Sequence, residues 1–362
     1  ERVAICDQLE DPKSVKGIVK RGVTELVTPG VSFNDQVLEQ KRNNYLAALH
    51  FGKSESGISF LDVSTGEFIA AQGDSGYIGK LLQSFSPSEI LFCKKEKQRF
   101  ADLSGGDYCH YALDEWVFAY DFAYESLTRH FGTASLKGFG IEGMAEGIIA
   151  AGAVLQYLSE TEHHDIRHIS AISRLEEDKY VWLDRFTVRN LELVYPQHPE
   201  GVPLINVLDH TLTPMGGRLL KKWLVLPLKD AAQINRRLDT VAALTQNREL
   251  LQNLSQPLKQ INDLERLISK VAVRRINPRE MQQLHRALEA IVPIREQLLQ
   301  SDISSLQKLA DQLNPCDVLR NEINTKLKAD PPMLTNQGNM ICDGVHAELD
   351  ELRKISFSGK DY

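Results

Sequence analysis

The sequence predicts a mixed α/β region followed by an all-helical region. Three observations indicate this. Short apolar runs of strand length, separated by turn residues, occupy residues 43–113, and longer segments with helical apolar spacing occupy residues 116–161. Beyond about residue 185, almost every segment has helical spacing. With 362 residues, 42% of them apolar and 25% charged, the chain is long enough for two or three domains with buried cores.

The first 42 residues predict strands without a core of their own. The segments RVAICDQL and GVTELVTPG have strand-like composition, and a polar connection rich in lysine joins them. Two strands bury too little apolar surface to form a core. We therefore expect residues 1–30 to be the end of another domain and residues 31–42 to be a linker.

Residues 43–165 predict one sheet covered by helices. The predicted strands are NYLAALHF, GISFLDVS, GEFIAAQG, SEILFCK and DYCHYAL. The predicted helices are YIGKLLQSF, WVFAYDFAYESLTRHFG and EGMAEGIIAAGAVLQYLSET. Hairpins followed by alternating helices and strands are typical of a single sheet with helices packed on it.

Residues 166–362 predict a helical domain. Asn277 is placed to cap a helix, with Pro278 at its first position and Glu280 completing a capping box. The apolar face of that helix is predicted to contain Met281, Leu284, Leu288, Ile291, Ile294 and Leu298. A turn at residues 336–338 predicts a small hairpin, and a last helix is expected from Val345.

The segment TLTPMGGRLLKKWL, residues 211–224, also predicts a helix start. Thr213 is placed to cap the helix and Pro214 to occupy its first turn. Gly216 and Gly217 each weaken a helix by about 1 kcal/mol relative to Ala, so we expect another helix to approach closely there. The three cations that follow are expected to form a solvated or interdomain face; they are Arg218, Lys221 and Lys222.

Three short motifs resemble ligand sites but favour structural interpretations. Gly52-Lys53-Ser54 lacks the preceding glycine and following helix of a phosphate loop, so it predicts a hairpin turn. Residues 138–143 match a dinucleotide fingerprint, but a helix leads into them, which favours a helix–helix connection. His164 and His168 have zinc-helix spacing without a third ligand, and we expect no metal site there.

Two carboxylates leave an enzymatic alternative open. Asp62 ends one predicted strand and Glu67 begins the next, and carboxylates on a sheet of this order can hold the two metals of a ribonuclease-H-like nuclease. Strand-end carboxylates are more often solvated turn residues. The alternative is therefore a metal-dependent nuclease using Asp62 and Glu67.

Charge and cysteine content limit the possible partners. The net charge is −7, and the acidic excess lies between residues 43 and 175, so contact with nucleic acid must be local. The one basic run that stands out contains Lys13, Lys16, Lys20 and Arg21, which could contact a phosphate backbone. Five widely spaced cysteines indicate free thiols, and the lack of a signal peptide or long apolar run predicts a cytoplasmic protein.

Several segments together resemble the bacterial MutS family of DNA mismatch-recognition proteins. The N-terminal segments ERVAICDQLEDPK and VKRGVTELVTPGV resemble the end of the family's mismatch-binding domain. Its connector domain is resembled by SFLDVSTGEF, SPSEILF, FGTASLKGFGIE and AAGAVLQYL. Its core or lever domain is resembled by LDRFTVRNLEL, NVLDHTLTPMGGRLLKKWLVLPL, DLERLISKVAVRRINPREM and VHAELDELRKIS. The similarity follows the family's order over nearly the whole chain.

The resemblance implies a ribonuclease-H-like connector domain at residues 43–165, without nuclease activity, and a helical core or lever domain at residues 166–362. It implies an internal fragment: the mismatch-stacking motif would precede Glu1, and the clamp and ATPase domains would follow Tyr362. We therefore expect no cofactor and no catalytic residue in this chain, and a monomeric fragment. For the longer protein the resemblance implies ATP, Mg²⁺, homodimerisation, mismatched DNA, and docking of the repair protein MutL on the connector.

Overall fold

The computed structural model describes residues 2–10, 17–105, 108–163 and 165–358. It divides into two compact units. The first contains residues 1–231 and 268–273, and the second contains residues 232–267 and 274–362. The expected domain limits at residues 30, 42 and 165 stay a prediction.

The first unit combines strands and helices. Its strands are β1 Val3–Gln8, β2 Arg21–Val27, β3 Tyr45–Phe51, β4 Ser56–Asp62, β5 Glu67–Gly73, β6 Glu89–Cys93, β7 His110–Leu113 and β8 Ser173–Arg174. Its helices are α1 Ser75–Phe85, α2 Lys97–Ser104, α3 Tyr120–Phe131, α4 Ala145–Glu160, α5 Arg185–Asn190, α6 Leu204–Leu208 and α7 Pro214–Val225. A mixed α/β region is thus confirmed.

Six of these strands form one sheet, in the order β7-β6-β3-β4-β5-β8. The three consecutive strands β3, β4 and β5 are antiparallel neighbours. The later strand β6 lies parallel to β3, and β7 lies parallel to β6. The two-residue β8 lies parallel to β5 at the opposite edge. The sheet therefore joins an antiparallel meander to a parallel half through β3.

Helices cover both faces of this sheet. Alternate residues of β3 point to opposite faces, so Leu46 and Ala48 join one buried cluster while Ala47 and Leu49 join the other. The first cluster lies under α3 and α4, and the second lies under α1 and α2. All seven residues of β4 are buried. Strands buried on both faces read as continuous apolar runs, which explains why the sequence predicted them.

The strands β1 and β2 form a separate two-stranded antiparallel sheet. All six residues of β1 are exposed, and β2 buries Glu25 alone among its seven. The prediction that these strands contribute almost no core of their own is confirmed.

The second unit is helical, as the sequence predicted. Its helices are α8 Ala231–Gln246, α9 Arg248–Leu258, α10 Leu264–Ala272, α11 Pro278–Leu299, α12 Ser304–Gln312, α13 Asp317–Lys326 and α14 Ala347–Ser358, of which α8 begins and α10 ends within the first unit. Helices α9, α12 and α13 pack against α11. Asn277 caps α11 with a complete capping box, and α11 continues past Pro293.

The predicted apolar face of α11 is confirmed. Five of its six members are buried and Met281 is partly buried; the five are Leu284, Leu288, Ile291, Ile294 and Leu298. The predicted hairpin around residues 336–338 is reduced to a single antiparallel bridge between Leu327 and Ile341. Two short elements, α2 and β8, were not predicted from the sequence.

The structural interpretations of two glycine motifs are confirmed. Gly52-Lys53-Ser54 lies in the turn between β3 and β4, where the Gly52 amide donates to the Glu55 carbonyl over 3.0 Å. Residues 138–143 connect α3 to α4. Among the described residues, no helix has the length and apolarity needed to cross a membrane.

Candidate functional site

The predicted basic run lies partly outside the described residues. Lys13 and Lys16 lie in residues 11–16, which are outside the described residues. Lys20 and Arg21 are exposed where β2 begins, and the Lys20 amide donates to the Glu10 carboxylate over 3.2 Å. Their side chains are accessible to a polyanion.

The helix start at residues 213–217 has the geometry expected of a cap. Thr213 has extended backbone angles and its hydroxyl accepts a hydrogen bond from the Gly216 amide over 3.1 Å. Pro214 occupies the first turn. The expectation that another helix approaches the two glycines was wrong. A Cβ added to Gly217 would lie 2.7–2.9 Å from Cγ, Cδ and Cβ of Lys41, a linker residue.

Lys41 crosses Gly217 to reach the segment before α7. Its ammonium donates to Asp209 Oδ1 over 3.0 Å and to the Thr211 carbonyl over 3.1 Å. Only a residue without a side chain leaves room for the Lys41 stem in this path. Gly217 thus allows the linker to attach to the start of α7.

The cations of α7 are not simply solvated. Arg218 is 5% exposed and its guanidinium donates to the Gln40 carbonyl over 2.8 Å. Lys222 pairs with Glu67 at the start of β5. Arg218 and Lys222 therefore contact the linker and the sheet and do not form a solvated face, while the alternative of an interdomain face stays a prediction.

Asp62 is completely buried at the end of β4, contrary to the expectation of a solvated strand end. Its Oδ1 accepts from the Ser64 amide and hydroxyl over 3.0 and 2.7 Å. Its Oδ2 accepts from the Asn43 side chain over 2.9 Å and the Asn44 amide over 3.1 Å. Four protein donors therefore occupy both oxygens, which is the chemistry of a structural carboxylate.

Glu67 is also bound by protein groups. Its Oε2 accepts from the Tyr45 hydroxyl over 2.6 Å and from Asn43 over 3.3 Å, while Oε1 faces Lys222. Asn43 thus donates to both Asp62 and Glu67. No cluster of three or more metal-ligating side chains occurs among the residues that the structure describes. The geometry gives the nuclease alternative no support.

A second completely buried carboxylate with four protein donors is Glu89, the first residue of β6. Its Oε2 accepts from the Thr28 hydroxyl over 2.5 Å and the Gly30 amide over 3.1 Å. Its Oε1 accepts from the Tyr157 hydroxyl over 2.8 Å and from Arg2 over 3.1 Å. Both oxygens are satisfied, as a buried charge requires.

Two of the groups that donate to Glu89, those of Tyr157 and Arg2, are stabilised by their own surroundings. Burial raises the pKa of the Tyr157 phenol, and the neighbouring carboxylate raises it further, so the phenol remains a proton donor. The Arg2 guanidinium lies 3.5 Å from the centroid of the Tyr111 ring. The carboxylate joins the N-terminal segment, the sheet and α4 at one point.

His168, of the predicted histidine pair, has a structural role. Its Nε2 lies 2.7 Å from the Val63 carbonyl, which fixes the ring beside β4. Burial lowers its pKa, and the Val63 carbonyl partly opposes that lowering. His164 lies outside the described residues.

Comparison with known proteins identifies three consecutive domains. Residues 1–36 match the model of MutS domain I, residues 44–170 that of MutS domain II, and residues 186–356 that of MutS domain III. The chain belongs to the MutS family.

Relatives in the MutS family match the chain over its full length. The DNA mismatch repair protein MutS of Cytophaga hutchinsonii is 66% identical over 361 residues. Those of Christiangramia forsetii and Flavobacterium psychrophilum are 55% and 56% identical. Each alignment covers 100% of this chain and 42% of the relative. The chain therefore spans less than half of the MutS proteins it matches.

Two carboxylates, the buried Glu89 and the half-buried Glu67, contact segments that match other MutS domains. Glu89 is in the part that matches MutS domain II, whereas Arg2 and Thr28 are in the part that matches domain I. Glu67, in domain II, pairs with Lys222 in domain III. A four-donor carboxylate and an ion pair thus connect three consecutive MutS domains.

Glu89 was not predicted from the sequence to be a buried, fully coordinated carboxylate. The signal that could have found it is an acidic residue leading an otherwise apolar strand, because an acid is rarely buried without partners. Its partners could not have been found, since they come from positions up to 87 residues away.

Proposed function

We propose that this chain is the connector and lever region of a MutS-type mismatch-recognition ATPase. In this proposal it transmits conformational change between a DNA-binding domain and an ATPase domain of a longer protein. The observation that carries the proposal is the coordination of Glu89, which ties the domain I segment to the sheet and to α4. A buried, fully bonded carboxylate resists rearrangement, because separating it from its donors costs several kcal/mol.

Transmission also requires a path onward from the sheet. The pair formed by Glu67 and Lys222 and the bonds of Lys41 to Asp209 and Thr211 join the sheet and the linker to the α7 region. Close-packed elements linked by such contacts pass on a displacement rather than absorb it.

The domain assignment is part of the proposal. We assign residues 1–30 to the end of the mismatch-binding domain, 31–42 to a linker, 43–165 to a ribonuclease-H-like connector, and 166–362 to the lever. Support for the ribonuclease-H-like label comes from three antiparallel strands followed by two parallel strands, added on the side of the first strand.

The partners follow from the relatives' role in DNA mismatch repair. We propose that the longer protein binds mismatched DNA, uses ATP with Mg²⁺, forms a homodimer and works in the cytoplasm. The connector, residues 43–165, would offer a docking surface to MutL. The basic run from Lys13 to Arg21 would contact the DNA backbone, and the exposed side chains of Lys20 and Arg21 support this.

The chain itself is proposed to lack catalytic activity. Asp62 and Glu67 give the nuclease alternative no free oxygen that could take a metal without first breaking a hydrogen bond to the protein. Incubation of the chain with labelled DNA and Mg²⁺ or Mn²⁺ should give no cleavage above the level of an Asp62→Asn variant. Cleavage that this substitution abolishes would establish the nuclease instead.

The transmission role is tested in the longer protein that contains this segment. Glu89→Gln replaces one acceptor oxygen by a donor and should weaken the joint while keeping its shape. ATP shortens the lifetime of the parent protein on mismatched DNA by some factor, and we expect that factor to be about 5-fold smaller in the Glu89→Gln protein. The affinity for ATP should be unchanged. Glu115→Gln, an exposed site on the same domain, is the matched control. An unchanged response to ATP in the Glu89→Gln protein would refute the role of this joint.

A further inference from the structure

A cavity of about 330 Å³ lies beside α7, within the first unit. The ends of α1 and α2 line one side, and α5, the segment after it, and α7 line the other. Its apolar wall includes Val188, Tyr195 and Val225, and its two cations are Arg189 and Lys221. The volume lies in the range of small-molecule sites, and the lining combines this apolar wall with several polar side chains from α1 and α2.

Lys221 differs from the lysines around it in lacking an acidic partner. Lys222, the next residue, pairs with Glu67, and Lys41 pairs with Asp209. Among the described residues, no carboxylate lies within ion-pairing distance of the Lys221 Nζ. The contact that its ammonium makes is with the Tyr195 ring, whose centroid is 5.5 Å away.

The groups that face Lys221 disfavour its charged form. Burial, as the larger cause, and the charge of Arg42 together lower the pKa of Lys221 to about 8, with Glu39 partly opposing them. The Arg42 guanidinium lies over the same Tyr195 ring, 5.6 Å from its centroid, and also pairs with Glu39. At pH 7.5 about a quarter of Lys221 is then the free amine, against about one-thousandth of an ordinary lysine.

Arg189 completes the cavity as an anion site. Its guanidinium is exposed, and no carboxylate in the described part of the chain pairs with it. We propose that this cavity is an acylation site, in which an acyl phosphate binds through its phosphate to Arg189 and acylates Lys221. A guanidinium presents paired donors that match a phosphate group.

The reaction balances without a further reactant. The Nζ lone pair attacks the acyl carbon, a C–N bond forms, and the C–O bond to the phosphate breaks. The electron pair leaves with inorganic phosphate, and the proton lost from Nζ passes to solvent. The product is a neutral amide in place of an amine that is partly charged.

The test uses the 362-residue chain and acetyl phosphate at pH 7.5. Mass spectrometry, with fragment ions that separate the adjacent lysines, gives the acetylation rate of each. We expect Lys221 to react about 10-fold or more faster than Lys222, because its larger free-amine fraction outweighs the lower nucleophilicity of a weaker base. Equal or slower reaction of Lys221 overturns the proposal, and this comparison needs no substitution.

Two further measurements test the cavity itself. Arg189→Gln should slow acetylation of Lys221 by acetyl phosphate about 3-fold or more and leave its reaction with uncharged acetic anhydride unchanged. An unchanged rate with acetyl phosphate contradicts binding through Arg189. The acetylation rate of Lys221 should also rise with pH and level off above about pH 8. A rate that still rises up to pH 10 would contradict the lowered pKa of Lys221.

Discussion

Gly217→Ala should destabilise the first unit, although alanine is the better helix former. The new Cβ would lie 2.7–2.9 Å from three carbons of Lys41, closer than non-bonded carbons approach. Lys41 cannot simply swing away, because its ammonium is bound to Asp209 and to the Thr211 carbonyl. Overpacking costs about 1–3 kcal/mol, and the helix gains about 1 kcal/mol from alanine. We therefore expect a net loss of about 1 kcal/mol.

Urea unfolding followed by tryptophan fluorescence measures this loss. The three tryptophans, Trp116, Trp182 and Trp223, all belong to the first unit, so the signal reports on that unit alone. Gly216→Ala is the matched control: its Cβ would meet only the Thr213 Oγ1 at 3.1 Å and Thr211 at 3.4 Å or beyond, so it should be neutral or stabilising by up to about 1 kcal/mol.

A double substitution isolates the contact with Lys41. In a Lys41→Gly background, which removes Cβ, Cγ and Cδ, Gly217→Ala should lose most of its cost. If Gly217→Ala stabilises the chain as much as Gly216→Ala does, the close approach of Lys41 does not explain the glycine.

Three other perturbations test the carboxylates and the buried histidine. Glu89→Leu leaves several donors unpaired and should lower the free energy of unfolding by about 3 kcal/mol. Glu115→Leu, at an exposed site, should change it by less than about 0.5 kcal/mol. Equal effects of the two substitutions would contradict the assigned coordination of Glu89. Burial lowers the pKa of His168, so the unfolded state binds a proton at this histidine more readily than the folded state does. The free energy of unfolding should therefore decrease as the pH falls below about 6.5, with a slope of at most about 1.4 kcal/mol per pH unit from this group. This pH dependence should disappear in His168→Gln. If the urea midpoints at pH 7.5 and 5.5 differ as much in the variant as in the parent chain, the assignment to His168 is refuted. Lys222→Met removes the half-buried pair with Glu67 and should cost about 1 kcal/mol or less in the same unfolding assay; a loss above about 3 kcal/mol would mean that the pair is isolated from water.

Local rules explain which parts of the fold could be predicted from the sequence. Thr213 and Asn277 cap helices through their own neighbours, so short sequence patterns were enough to place both helix starts. The strands around β3 and β4 were recognised because burial on both faces gives continuous apolar runs. Helix α2 was missed because KQRFADLS is mostly polar, and β8 has only two residues.

The candidate site depends on contacts that no local pattern encodes. Asp62 looked like a turn residue, yet Asn43 and Asn44, directly before β3, supply donors that allow it to be buried. The stem of Lys41, not a helix, fills the space above Gly217. In each case the deciding partner is distant in sequence, so sequence reasoning identified the unusual residue but not its partner.

The two sheets differ in how readily their edge strands could pair with a strand of another chain. The six-stranded sheet ends in the short strands β7 and β8, which offer few free amide and carbonyl groups to another chain. Strand β1 pairs only with β2 among the described strands, and it exposes Val3 and Ile5. An open edge with apolar side chains is a template for strand addition. Self-association of this chain would therefore begin at β1, and a lysine or proline placed there would suppress it.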